Sequence, residues 1–528
     1  MTARVGLIKR LCLFLVLGLT AGLLPVRSWA DDDDQPPAKR QLTEQELLRK
    51  RIAEALAGRR DMSAPHSQTL IGPELSDREK VVHVLNRLGY GPRPGEIDEV
   101  LKNGGWQAWV KQQLDPAHID DATCDRVVAE RFPFTKMSIT QLEKEYDGRD
   151  NERNIKRLHS ELPELVLTRS VLSNRQFKEV MCDFWRNHFC VDQPDVYEKT
   201  RSWTAADYEE QVIRKYVFGK FGDMLFASAR HPAMLEYLDN KLSKANNWNE
   251  NYAREVMELH TLGADHDYNN RDVQELSKAL TGWSYDKNFQ FVFNVQEHQP
   301  GVKYWRGQQL PAGPAGGVQA LIRLANDPLA ATFVSEKLVK YLVNDNPPPA
   351  LVRHVAGVWR ETQGDLPKVY AAIINSPEFF KRENYRSKFK TPFQFCVSSM
   401  RSTNAKVDSM EAVVAELWKM GEPIYNCADP TGYRDQAESW MDSGVLTTRW
   451  QFSWDLIRGS VNGVSVPDSF LNRYKNLKSE ESEQKMLEDL VGGDVGDREL
   501  QNLKEVAANG DLPRMTSIVL GSPSFQQR

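Results

Sequence analysis

Apolar residues return every third or fourth position along most of this chain from about residue 76 onward. In DREKVVHVLNRLGYGPRPGEIDEVL, Val81, Val84, Leu85 and Leu88 share one helical face, GYGPRPGE breaks the run, and Pro94 with Glu96 opens the next helix. The same period continues to the end of the chain, with Gly and Pro punctuating amphipathic runs. Strand-like alternation is scarce, and NFQFVFNV, residues 288–295, is its best instance. These patterns predict a mainly α fold: an irregular multi-helix domain with a small β-hairpin insertion near 288–305. The break NDNPPPA around residue 350 predicts two helical lobes, 76–345 and 350–528.

The N-terminus follows a different pattern. Arg4, Lys9 and Arg10 precede the apolar run LCLFLVLGLTAGLL, and SWA then places small residues at Ser28 and Ala30. This reads as a secretory signal over residues 1–30, and so as an exported protein, periplasmic or secreted. A retained N-terminal anchor is the alternative, since the run is near the short end of what spans a bilayer. Residues 31–75 open with DDDDQPPAKR and continue through TEQELLRKRIAEALAGRR, too poor in large apolar residues for a core, so they read as a charged spacer. No later run is apolar enough to span a membrane. Loss of the signal removes four of the 68 basic residues and none of the 73 acidic ones, taking the net charge from −5 to about −9. That balance argues against nucleic acid as the main partner and leaves a polysaccharide or an envelope protein as candidates.

The 16-residue segments GDLPKVYAAIINSPEF (364–379) and GDLPRMTSIVLGSPSF (510–525) echo one another. Asp365 and Asp511 can cap helix starts, Pro377 and Pro523 can stop the helices, and Phe379 and Phe525 can fold back onto them, so one supersecondary unit is used twice. Six separated motifs complete the picture: LNRLGYGPRPGEID, FWRNHF, NYAREVMELHTLG, DVQELSKALTGW, KFKTPFQF and the final GSPSFQQR. Together they resemble the bacterial exported family catalogued as domain of unknown function 1800, over roughly Asp77 to Arg528. The resemblance implies a largely helical exported protein with no agreed reaction. The family's common GWPGG segment is replaced here by PTGYRDQAESW, so no role of that segment is carried over.

Candidate chemistry comes from helical wheels. On the helix from Asn251, residues Arg254, Glu255, Glu258 and Leu262 fall on one side, and Tyr252, Ala253, Val256, Met257 and His260 on the other. In EVMCDFWRNHF, His188 falls between Met181, Phe184 and Trp185. Two histidines thus enter apolar faces. Together they could hold a transition metal or haem iron, or act as an acid/base pair with Glu255 or Glu258 as general base; singly they would be core histidines bonded to a carbonyl. The spacing is neither HExxH nor the ExxH of di-iron bundles, which weakens the metal reading. Arg254 and Glu258 are spaced for an ordinary i,i+4 surface pair.

The loop ADHDYNNRD, with Asp265, Asp267, Asn269 and Asp272, resembles a calcium loop but lacks its glycine and has Leu276 where a bidentate Glu belongs. Calcium is therefore the poorer cofactor, and Asn269 reads as a helix cap with Asp272 in the first turn. His298 lies on a loop among Trp283, Tyr285, Phe289, Phe291, Phe293, Tyr304 and Trp305, which suit either sugar stacking or a plain core. Of the five cysteines beyond the signal, Cys182 and Cys190 lie about 12 Å apart along one helix, and Cys396 with Cys427 stays open as a pair. No GxSxG elbow, phosphate loop or dinucleotide fingerprint occurs. Two readings follow: an exported envelope or polysaccharide-related enzyme using His188, His260, Glu255, Glu258, Asp272 and His298, or a non-catalytic exported binding or assembly module whose buried histidines are structural.

Overall fold

Cap chemistry sets where the helices begin. Ser76 accepts from the Glu79 amide while the Glu79 carboxylate takes the Ser76 amide, opening the helix Asp77–Arg87; Asn269 with Asp272 and Thr391 with Gln394 do the same for Asn270–Leu280 and Pro392–Ser402. Asp327 and Asp442 cap the helices Pro328–Leu342 and Ser443–Ile457. The computed structural model describes residues 74–146, 152–193, 203–264, 267–493, 495–507 and 511–528. The signal segment 1–30 and nearly all of the spacer 31–75 lie outside the described residues, as does Asp265 of the calcium-like loop.

The fold is mainly α with small β-hairpins. The described residues belong to one compact unit, Ser67–Arg528, around one buried apolar cluster that runs in sequence from Val81 to Phe525. Across residue 345, the helix Pro328–Leu342 packs along the helix Pro349–Thr362. No helix among the described residues is long and apolar enough to cross a membrane.

Where one hairpin is expected near 288–305, the structure forms two in succession. Trp283–Tyr285 pairs antiparallel with Phe291–Phe293, and Lys303–Trp305 with Gln308–Leu310. Arg306 and Gly307 both take positive φ, 47° and 70°, the two-residue turn that matches strand twist. Trp283, Phe289 and Trp305 are buried, whereas Tyr304 is exposed.

The repeated segments fold alike. Asp365 caps Leu366–Ile374 and Ser376 then caps Pro377–Phe380; Asp511 caps Leu512–Gly521 and Ser522 caps Pro523–Gln526. Phe379 and Phe525 are both buried. The second copy ends against the KFKTPFQF segment, where Arg528 and Lys388 exchange backbone hydrogen bonds. The Arg87 guanidinium, fully buried, donates to the carbonyls of Leu342, Val343, Asn384 and Arg528, tying the helix Asp77–Arg87 to segments near residues 343, 384 and 528.

Candidate functional site

The C-terminal end of the helix Gln176–His188 is where the candidate residues gather. His188 is its last helical residue, packed against Phe184, Trp185, Phe189 and Phe221. His260 follows the short helix Asn251–Glu258, whose buried face is Tyr252, Ala253, Val256 and Met257. Beyond Glu258 the chain winds wider: the His260 amide donates to the Glu255 carbonyl, and Gly263, at φ 87°, closes the turn onto Met257.

The two histidines meet. Their ring centroids are 6.0 Å apart, and His188 Nε2 lies 3.1 Å from the His260 carbonyl oxygen. A carbonyl only accepts, so His188 carries its proton on Nε2 and leaves Nδ1 as a bare base. His188 Nδ1 and both His260 ring nitrogens are buried and have no hydrogen-bond partner among the described residues. Burial, joined by the charge of Lys337, holds His188 well below the usual histidine range and His260 down to about 3. Both rings are therefore neutral at neutral pH.

Lys337 approaches from the helix Pro328–Leu342. Burial pushes its ammonium down to about 8, opposed by the nearby Cys190 thiol, and no carboxylate pairs with it among the described residues. The loop 421–433 covers the same place from another direction. Tyr425 donates a 2.6 Å hydrogen bond to Glu209, and the Glu209 carboxylate accepts from Arg186 Nε and Nη2 at 3.0 and 3.1 Å. Burial alone would raise Glu209, but Arg186, with Arg214 and Tyr425, outweighs it and keeps the carboxyl below its ordinary range. Glu209 opens a π-helical turn, Glu209–Arg214, whose Arg214 forms a fork at 2.7 Å with Glu179.

The remaining candidates divide. Glu255 is half-buried on the opposite side of its helix, its carboxyl raised by burial and by Glu258. Arg254 pairs with Glu250 at 3.2 Å rather than with Glu258, because helical side chains lean toward the N-terminus. Asp272 is spent on structure: it accepts from the Asn269 amide in the capping box and from the Arg306 amide at 2.8 Å. His298 bonds through Nδ1 to the Thr281 carbonyl and through Nε2 to Lys303, beneath the hairpins. No hydrogen bond joins Asp272 or His298 to the histidine pair.

A metal or haem fits poorly here. His188 and His260 find no third His, Cys, Asp or Glu within ligand range among the described residues, and one of their four nitrogens is already bonded. Phe189 lies 4.7 Å from His188 and 5.1 Å from His260, filling the space between the rings that a porphyrin would take.

Sequence reasoning did not find Lys337, Cys190 with Cys427, or the Arg186, Glu209 and Tyr425 network. Lys337 carried a readable signal: it sits four residues from both Phe333 and Tyr341, on the apolar side of its helix. The partners in the loop come from more than 200 residues away and carried none.

The family model described as Protein of unknown function (DUF1800) matches residues 83–527. No curated protein and no solved structure matches the chain.

Proposed function

The chain belongs to the DUF1800 family, and from that premise we propose that it is an exported enzyme of the cell envelope with a metal-free acid/base site at His188, His260 and Lys337. The observation that carries this reading is His260: fully buried, neutral, with both ring nitrogens unpartnered, beside a second neutral imidazole and a lysine of lowered pKa. A buried polar atom without a protein partner is a place where a bound water, a substrate or a catalytic proton can be met. With the two imidazoles held neutral, their bare nitrogens can accept a hydrogen bond and position a substrate, while a lysine near 8 is a base or nucleophile at little cost. The signal pattern in residues 1–30 supports export, and an envelope polymer or its fragments is the substrate class that goes with it.

The test is turnover of a panel of ester, amide and glycoside substrates by purified protein, repeated on His260→Asn and Lys337→Gln. Activity on one class, falling roughly 100-fold or more in both variants with circular dichroism unchanged, is the expected result. No turnover in the wild type, with plain destabilisation in His260→Asn, favours the assembly module instead. One observation favours that second reading: the motif residues Arg87 and Lys388 are buried and spent on backbone carbonyls and ion pairs, as a packing role requires.

A further inference from the structure

Cys190 and Cys427 lie 237 residues apart in sequence and face one another. Cys190 follows the helix Gln176–His188 by two positions, and Cys427 sits in the loop 421–433. The Cys190 thiol donates to the Cys427 carbonyl oxygen at 3.7 Å, and the Cys427 thiol donates to the Asp429 carbonyl at 3.5 Å.

The backbones on both flanks are locked in place. On one side the Asn187 side-chain Nδ2 donates to the Tyr433 carbonyl at 2.8 Å and its Oδ1 accepts from the Tyr433 amide at 2.7 Å; on the other, the Gln193 amide donates to the Tyr425 carbonyl at 2.9 Å. Tyr237 adds a bond to the Ala428 carbonyl. The two cysteines therefore sit between fixed points on neighbouring strands of chain, and a bridge between them asks for side-chain rotation rather than refolding.

We propose that Cys190 and Cys427 form a thiol pair that closes to a disulfide by exchange with a disulfide oxidant, Cys427 attacking and Cys190 resolving. Cys427 is the more exposed of the two; the neighbouring Cys190 thiol holds it below the usual range, while the Cys427 thiol and burial push Cys190 up. The Cys427 thiolate attacks one sulfur of the oxidant and releases the other half as a thiol. Cys190 then loses its proton and attacks the Cys427 sulfur of the mixed disulfide, releasing the second thiol. Two protein thiols and one oxidant disulfide become one protein disulfide and two small thiols, so atoms and electrons balance. An oxidising exported compartment favours the closed form. The pair is independent of the acid/base reading, although Cys190 adjoins Lys337.

The experiment incubates the folded protein with oxidised glutathione, blocks remaining thiols under denaturing conditions, and maps the peptides by mass without reduction. Loss of two thiols and a peptide linking Cys190 to Cys427 is expected. Cys190→Ser should instead retain one glutathione on Cys427, since the attacker has lost its resolver. Cys427→Ser should leave Cys190 a free thiol with no bridge, and circular dichroism of both variants checks that each is folded. Unchanged thiols in the folded wild type, or a linked peptide containing Cys396, overturns the proposal.

Discussion

At the scale of single residues, the wheel read from the helix beginning at Asn251 was physically sufficient for His260 and insufficient for its surroundings. His260 shares a face with Tyr252, Val256 and Met257, and all four are buried. Arg254 and Lys337 were harder, because the direction of a long side chain depends on packing that a period of 3.6 does not encode. Burying a neutral histidine has a consequence for stability. The folded state holds His260 near 3 against an ordinary value of 6.5, so between those values the unfolded chain binds more protons. Its contribution is complete above pH 6.5 and is lost as pH falls toward 3, by an amount on the order of 4–5 kcal/mol over the whole window. Replacing His260 with Leu removes the titration and keeps an apolar side chain of similar reach. Between pH 7 and pH 5 the variant should lose about 1–2 kcal/mol less than the wild type in urea unfolding. Equal losses in the two proteins would mean that His260 is not held neutral.

Elements were legible where local chemistry decides them. The capping boxes, the repeated Asp-capped helix with its trailing phenylalanine, and the strand-like NFQFVFNV segment are all written within a few residues. The loop 421–433 was not legible, because it is shaped by contacts with Asn187, Gln193 and Glu209 from a distant helix and turn. Gly432 shows how closely it fits. Its φ is +74°, and a Cβ there would fall on the Asn187 carbonyl and side-chain amide. Gly421, at φ +82°, opens the same loop with nothing within 4 Å of such an atom. Gly421→Ala should therefore cost only the left-handed backbone, roughly 1 kcal/mol, while Gly432→Ala should cost about 2–3 kcal/mol and speed alkylation of Cys427 as the loop lifts. Equal melting temperatures for the two variants would remove the argument that Asn187 sets this loop.

At the scale of the whole molecule, the motifs resembling the family meet in space at a structural hub rather than around the histidines. Arg87 from LNRLGYGPRPGEID reaches the carbonyls of Leu342, Val343, Asn384 and Arg528, and Arg528 ends GSPSFQQR. Lys388 from KFKTPFQF is buried between Asp345 at 2.5 Å and Asp435 at 2.6 Å. Ionisable residues in motifs suggested chemistry at the level of sequence, and here several of them satisfy carbonyls that no local element could reach. Only FWRNHF and NYAREVMELHTLG bring their histidines to the candidate site, which is why fold and family were readable while the reaction was not. The hub makes a testable demand. Arg87→Leu leaves its four carbonyls without that partner in the core and should destabilise the protein by about 3–5 kcal/mol, read as a lower urea midpoint by circular dichroism. Arg126→Ala, on an exposed helix surface, should change the midpoint by less than about 0.5 kcal/mol in equivalent terms. Because Arg87 holds the end of the chain, removal of Gln527 and Arg528 should weaken the wild type markedly and Arg87→Leu much less. An additive loss in the combined variant would show that the two ends are stabilised separately, and that the hub does not join them.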